Sequence, residues 1–317
     1  LLYGGDVLEI SPTDGDGIPK SDLSLAVRDQ SRIVVGGGSD GDFDFQGDIL
    51  LNNLPSIGTY KRDRRSDEEV YLSMYASGST ELAAENVDPT NTSIGEGRDL
   101  INAVRIGKAF SAYENGLASP KGKLFGSVAE TIVYDQILTD ADRAKVESYL
   151  AVKYGITLTG GVQQSGIIGG NVGYNYVNST GTVVRTSDAT YKFDVFGLGR
   201  DDFYGLNQRI SKSNNPGDIL TVSTNTDFTS LNLDATRTAI NGDKEYALFA
   251  NNKGSAVPVV EQTTELPSNV SRRLDREWKV AHSNTDGTNI SNFSLRFNLS
   301  GIPLTGGFFA KFMALSI

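Results

Sequence analysis

The chain runs to 317 residues, long enough for two domains of the usual roughly 100–200 residues each. A formal net charge of −10 argues against a nucleic-acid partner, which needs a basic face, and zero cysteine excludes disulfides, thiolate catalysis and cysteine-held zinc. With 35 glycines and no apolar run near the ~20 residues of a membrane helix, the composition is that of a turn-rich, soluble β protein with no direct membrane insertion.

In chain order, Leu1–Ile10 has strand character and Ser11–Pro19 reads as a Pro/Gly/Asp turn. Ser21–Val35 is a candidate strand pair broken by the polar stretch Arg28–Arg32. Gly36–Asp48 is a glycine- and aspartate-dense loop leading into Ile49–Leu51. The highly charged Tyr60–Glu69 is expected to be an exposed loop. Val70–Tyr75 alternates as a strand does, with Thr80–Ala84 as its hairpin partner. Asn102–Lys108 is a further strand, and Ser111–Gly122 a loop. Short strands at this spacing, parted by Gly, Asn and Asp, imply a sandwich.

Two clusters of carboxylates in this part invite a metal reading. Asp14 and Asp16, and then Asp40, Asp42, Asp44 and Asp48, are closely spaced among glycines. Calcium takes six to eight oxygen ligands, often neighbouring carboxylates plus freed carbonyls, so the site would hold Asp40, Asp42 and Asp44, with Asp14 and Asp16 as a second group. The closing Glu of an EF-hand is missing, and Asp and Gly are also what β-turns use.

Residues 126–158 carry the firmest local signals. Val128–Tyr134 is apolar at nearly every other position and rich in β-branched and aromatic residues, which predicts a buried strand. Thr139 is placed as an N-cap with Asp142 three residues on, and Asp140 and Asp142 complement the helix dipole. Val146, Tyr149, Leu150 and Tyr154 fall at helical spacings as an apolar face, leaving Arg143, Lys145, Glu147 and Lys153 for water. Gly155 is placed to end the helix.

Gly126, Ala129–Tyr134, Leu138, Thr139, Asp142, Arg143 and Lys145–Leu158 together resemble the end of a laminin-G-like (concanavalin A-like) jelly-roll domain. It is the version found in very large bacterial surface and secreted proteins, many marine or from Bacteroidetes. The resemblance implies an all-β fold: a jelly-roll sandwich over residues 1–158 with one C-terminal amphipathic helix. The Gly-rich stretch 159–173 then reads as a linker, and 174–317 as a second β-sandwich.

Within 174–317, Phe196–Arg200, Asp201, Asp202, Gly205–Gln208 and Ser211–Ser213 resemble a domain of unknown function that often follows the laminin-G-like one in such proteins. Tyr246–Asn251 and Arg272–Val280 resemble its later strands. Arg200, Asp201, Asp202, Asn207 and Gln208 could form a ligand-facing cluster, although such side chains more often pair with one another to fix a turn. Trp278 could be a sugar platform, although its alternation with Leu274, Arg276 and Val280 reads more simply as core.

No catalytic constellation emerges. The single histidine, His282, would have to serve any Ser-His-Asp triad and reads as a surface or turn residue. No G-x-S-x-G, P-loop or H-E-x-x-H is present, and Glu130 has no acidic neighbour on its own strand face to make a glycosidase pair. The expectation is a non-enzymatic, extracellular module of a bacterial cell-surface protein, a piece of something longer. The resemblance implies a glycan or protein ligand, with calcium as a candidate cofactor. A structural spacer or fibre subunit, partnered by other copies or domains of the same surface protein, is the alternative.

Overall fold

The computed structural model describes strands at 5–11, 23–28, 32–36 and 44–50, then residues 55–66, 69–78, 83–87 and 103–106. It further describes 127–159, 173–260, 272–283, 290, 292–300 and 302. Within them the protein is antiparallel β-sheet with one α-helix.

The first part holds two sheets. β1 (Gly5–Ser11), β2 (Leu23–Arg28), β3 (Arg32–Gly36), β4 (Asp44–Leu50) and a later β8 (Ala103–Ile106) order as β4-β3-β2-β1-β8. β5 (Gly58–Ser66), β6 (Glu69–Ala76) and β7 (Ala83–Val87) form the second, with β5 and β7 as its edges. Three expectations are corrected here. The charged stretch from Tyr60 is strand β5, not a loop, because an edge strand tolerates charge. Asp44 and Asp48 lie in β4, Asp44 facing Gly36 across the ladder. The hairpin partner of β6 begins at Ala83, three residues beyond the expected start.

Helix α1 (Asp140–Tyr154) has the expected caps. Thr139 Oγ1 accepts from the Asp142 amide at 3.1 Å and donates to the Asp142 carboxylate at 2.7 Å. Gly155, at φ 63°, closes the helix, and a Cβ there would meet the Lys212 carbonyl oxygen at 2.2 Å. The helix buries Glu147, Ser148, Tyr149, Ala151 and Val152. The expectation that Glu147 faces water is therefore wrong. Its carboxylate takes two bonds from Arg143, at 2.9 and 3.0 Å, and one each from Thr59 (3.0 Å) and Tyr174 (3.3 Å). Periodicity classed Glu147 by polarity, whereas four donated bonds make its burial tolerable.

The remaining strands are β9 (Tyr176–Val177), β10 (Val183–Arg185), β11 (Phe193–Asp201), β12 (Leu206–Gln208), β13 (Ile210–Lys212) and β14 (Leu220–Ser223). After them come β15 (Glu245–Asn251), β16 (Pro258–Val260), β17 (Arg272–Leu274), β18 (Trp278–Ser283) and β19 (Ser294–Phe297). A four-stranded sheet, β12-β11-β15-β18, faces a three-stranded one, β13-β14-β19. Phe196, Leu198, Ala247 and Phe249 point into the apolar layer between them, against Leu220 and Val222. The alternate positions Val195, Tyr246, Leu248 and Ala250 point the other way, onto Tyr149, Ala151 and Val152 of α1. Covered on both faces, β15 is buried throughout. The stretch Arg272–Val280, read as one strand, is two, β17 and β18.

The helix thus packs on the later sheet while also touching the earlier one. Beyond it, the Leu158 amide donates to Tyr176 Oη at 2.8 Å, the Val195 amide to Thr157 Oγ1 at 2.9 Å and the Thr159 amide to the Ser77 carbonyl at 2.8 Å. Residues 155–159 are buried between the two parts. Among the described residues no helix is long and apolar enough to cross a membrane.

Candidate functional site

The polar motif at 200–208 is built around a tight turn from β11 to β12. The Gly205 amide donates to the Asp202 carbonyl at 3.2 Å, and Gly205 takes φ 64° with open space around it. Arg200 grips Asp202 with two bonds, Nε to Oδ1 at 2.7 Å and Nη2 to Oδ2 at 2.9 Å; its Nη1 donates to the carbonyls of Ile240 and Asn241. The Asp202 carboxylate beside it raises the Arg200 guanidinium above its ordinary pKa. The Asp202 amide donates to Asp243 at 2.8 Å.

Asp201, one residue earlier, points inward and is fully buried. Its Oδ2 accepts from the Ser179 amide (2.8 Å) and from Tyr246 Oη (3.0 Å). Asn207 Oδ1 accepts from Arg209 Nε at 3.0 Å, and Gln208 Nε2 donates to the Ile210 carbonyl at 2.7 Å. Each of the five motif side chains is therefore engaged within the chain, fixing the turn and its neighbours. Two glycines of the motif have steric reasons. A Cβ on Gly197 would meet the Ala247 carbonyl oxygen at 2.2 Å, and one on Gly199 would meet the Tyr246 ring at 2.6 Å.

Trp278 is half-buried, its ring edge-on to Phe297 at 5.4 Å beside the inter-sheet layer, so it packs as core. His282 lies in β18 opposite Ala247, with its ring 5.9 Å from Phe293; desolvation lowers its pKa. Of the calcium candidates, Asp14, Asp16, Asp40 and Asp42 lie outside the described residues, and Asp44 opens β4. Among the described residues no group of three or more His, Asp or Glu is placed to hold a metal.

The turn carries something else. Phe203, at its tip, is 77% exposed. Its ring stands edge-on to Tyr204 at 5.0 Å, and Tyr204 stacks on Tyr149 of α1 at 5.1 Å. Burial pushes the Tyr204 phenol up to about 12, helped by nearby Tyr134, Asp201 and Asp142. Tyr134, itself raised by burial and then by Asp142, brings in the segment before the helix.

That segment departs from the expected buried strand. Residues 127–134 have neither ladder partner nor helical turn, a bend follows at 135–136, and no backbone hydrogen bond links 127–138 to any described residue. Ile132 (38%), Val133 (48%), Tyr134 (41%) and Ile137 (47%) are exposed. Composition confers strand propensity, but only a neighbouring strand supplies ladder and burial.

The segment is anchored through Glu130, whose carboxylate accepts from Tyr149 Oη (2.9 Å), Lys153 Nζ (2.8 Å) and Tyr154 Oη (2.9 Å). Burial pulls the Glu130 carboxyl upward, but the bonds from Lys153, Tyr154 and Tyr149 outweigh it and hold it below its ordinary value. Ile132, Val133, Tyr134 and Ile137 thus make an exposed apolar ledge on the segment beside α1, and Tyr134 lies near Tyr204, whose ring Phe203 meets. Sequence reasoning missed it. The available signal was Phe203 itself, an aromatic between Asp202 and Gly205 in a turn.

A family model described as a domain of unknown function (DUF8202) matches residues 142–316, a span that begins inside α1 and takes in the sheet the helix covers. No curated protein and no solved structure matches the chain.

Proposed function

The chain belongs to the family described as a domain of unknown function, DUF8202, and on that premise we propose that it is a non-enzymatic, extracellular module of a bacterial surface protein that holds a protein partner on the Ile132–Ile137/Phe203 ledge. The observation that carries this reading is the ledge: large apolar side chains exposed together next to backbone with no described hydrogen-bond partner. A protein fits better than a glycan. Sugar sites combine a flat ring with free polar groups, whereas Arg200, Asp202 and Glu130 around the ledge are already bonded within the chain.

The two sheets of the first part are compatible with a laminin-G-like jelly roll, and calcium at Asp40, Asp42 and Asp44, or Asp14 and Asp16, belongs to the same proposal. A second reading, a structural spacer, draws on the buried seam at 155–159 that ties the two parts together.

The test is selection of displayed random peptides on the immobilised chain, beside a glycan array, with Phe203→Ala and Val133→Asp as controls. Peptide enrichment that both variants lose supports the ledge. Glycan binding that both variants keep, with no peptides enriched, overturns it.

A further inference from the structure

We infer that Asn241–Gly242 is a site of spontaneous covalent modification, at which Asn241 loses its side-chain amide through a succinimide and Arg200 directs the product toward isoaspartate. The site lies in the loop that enters β15 and is independent of any partner on the ledge.

The residue pair has the chemistry. An asparagine side chain carries an electrophilic amide carbon, and a glycine after it offers a backbone nitrogen that no side chain shields. The sequence holds two such pairs, Asn115–Gly116, outside the described residues, and Asn241–Gly242.

The structure leaves both reacting groups of the second pair available. Asn241 is exposed, and its side chain makes no hydrogen bond to any described residue. Gly242 is buried behind it, yet its N–H lies outside the strand ladders and has no partner among the described residues. Buried backbone N–H groups nearly always have one. The main chain on either side is held. Arg200 Nη1 donates to the Ile240 carbonyl at 3.1 Å and to the Asn241 carbonyl at 2.8 Å, and the Asp202 amide donates to the Asp243 carboxylate at 2.8 Å. This clamp touches neither the Asn241 side chain nor the Gly242 N–H.

Arg200 also acts on the chemistry. Its guanidinium bonds the carbonyl of the peptide link whose nitrogen reacts. Positive charge there stabilises the negative charge that develops as the Gly242 N–H gives its proton to base. The Gly242 nitrogen then bonds to Cγ of Asn241, and the side-chain nitrogen leaves as ammonia, closing a succinimide ring. Water opens the ring at either carbonyl. Attack at the Cγ carbonyl gives aspartate; attack at the α-carbonyl gives isoaspartate, with the chain running through the side chain and the α-carboxylate set free. The α-carbonyl is the one Arg200 polarises, and the freed carboxylate includes the oxygen that the guanidinium already holds, now in a charge-assisted bond. The loop thereby gains a carboxylate that competes with Asp202 for Arg200.

The experiment incubates the whole chain in warm, mildly alkaline buffer, folded and in concentrated urea, beside Arg200→Gln and Arg200→Lys, with folding checked by circular dichroism. Peptide mass spectrometry follows conversion at Asn241 and separates isoaspartate from aspartate. In the folded chain Asn241 should convert at least as fast as in urea, and with a larger share of isoaspartate. Arg200→Gln should slow the folded reaction about three- to tenfold, less than the roughly 100-fold of a buried oxyanion donor because Arg200 is partly exposed, and should return the isoaspartate share to that seen in urea. Arg200→Lys, which keeps the charge, should fall between. A folded chain whose Asn241 stays intact while the chain in urea converts, or an Arg200→Gln variant that alters neither rate nor share, overturns the inference. If that variant fails to fold, the unaltered chain decides: an isoaspartate share equal in the folded state and in urea overturns it.

Discussion

Asp201→Ala removes the carboxylate at the centre of the polar motif and leaves two donors, the part-buried Ser179 amide and the buried Tyr246 hydroxyl, without an acceptor. Each stranded donor costs about 1–3 kcal/mol. The loss should thus be about 2–6 kcal/mol, or a melting shift on the order of 4–24 °C for the later β part at about 2–4 °C per kcal/mol. Asp202→Ala, one residue on, loses only an exposed ion pair with Arg200, worth about 0–1 kcal/mol. Asp201→Asn should fall between them, because its amide oxygen can still accept. Urea unfolding followed by tyrosine and tryptophan fluorescence measures all three. Asp201→Ala no more harmful than Asp202→Ala would refute the argument that the motif is an internal staple, and the ligand-facing reading of these residues would regain weight.

Gly197→Ala should unfold the later part or cost several kcal/mol, since its Cβ meets backbone at 2.2 Å, while Gly205→Ala should cost about 1 kcal/mol for its left-handed conformation alone. Equal melting points for the two would contradict this. At Asp218, burial and then the Asp194 carboxylate raise the carboxyl from 3.8 to about 6. The folded state therefore holds the proton more tightly, and the stability this confers is lost as pH rises from about 4 through about 6. Asp218→Asn should accordingly be more stable than the unaltered chain at pH 7, by at most about 3 kcal/mol, and the advantage should shrink toward pH 4.5; a constant difference across that window would rule out Asp218 as the source. If Asp40, Asp42 and Asp44 ligate calcium, its addition in place of EDTA should stabilise the chain by about 2.7 kcal/mol at a hundredfold excess over Kd, read as a rise in melting temperature. Asp40→Asn/Asp42→Asn should abolish that rise, and an indifferent unaltered chain would remove calcium from the proposal.

Legibility divides along the distance over which each feature is decided. Thr139, Asp142 and Gly155 announced both ends of α1 because capping is settled among residues three or four apart. The hairpin of β2 and β3 was readable as a strand pair broken by a polar stretch, and the runs that became β11 and β15 from a family resemblance. Five neighbouring polar letters at 200–208 could be seen, but not that Asp201 turns inward while Asp202 stays at the surface with Arg200. Asp201 is the last residue of β11 and Asp202 the first of the turn, and only the packing of Tyr246 and Ser179 makes the side that Asp201 takes the inside. Glu147 looked like a solvent residue until Thr59 and Tyr174, 88 and 27 positions away, supplied its bonds. Val128–Tyr134 had every local property of a buried strand yet has no described ladder partner, and Phe203 gave no sign that its ring would crown a stack reaching α1. By itself, then, the sequence determined the caps, turns and strand-prone runs, because their energies close within a few residues. Burial, pairing and the ledge were decided by tertiary structure, because each depends on surfaces that distant segments bring together.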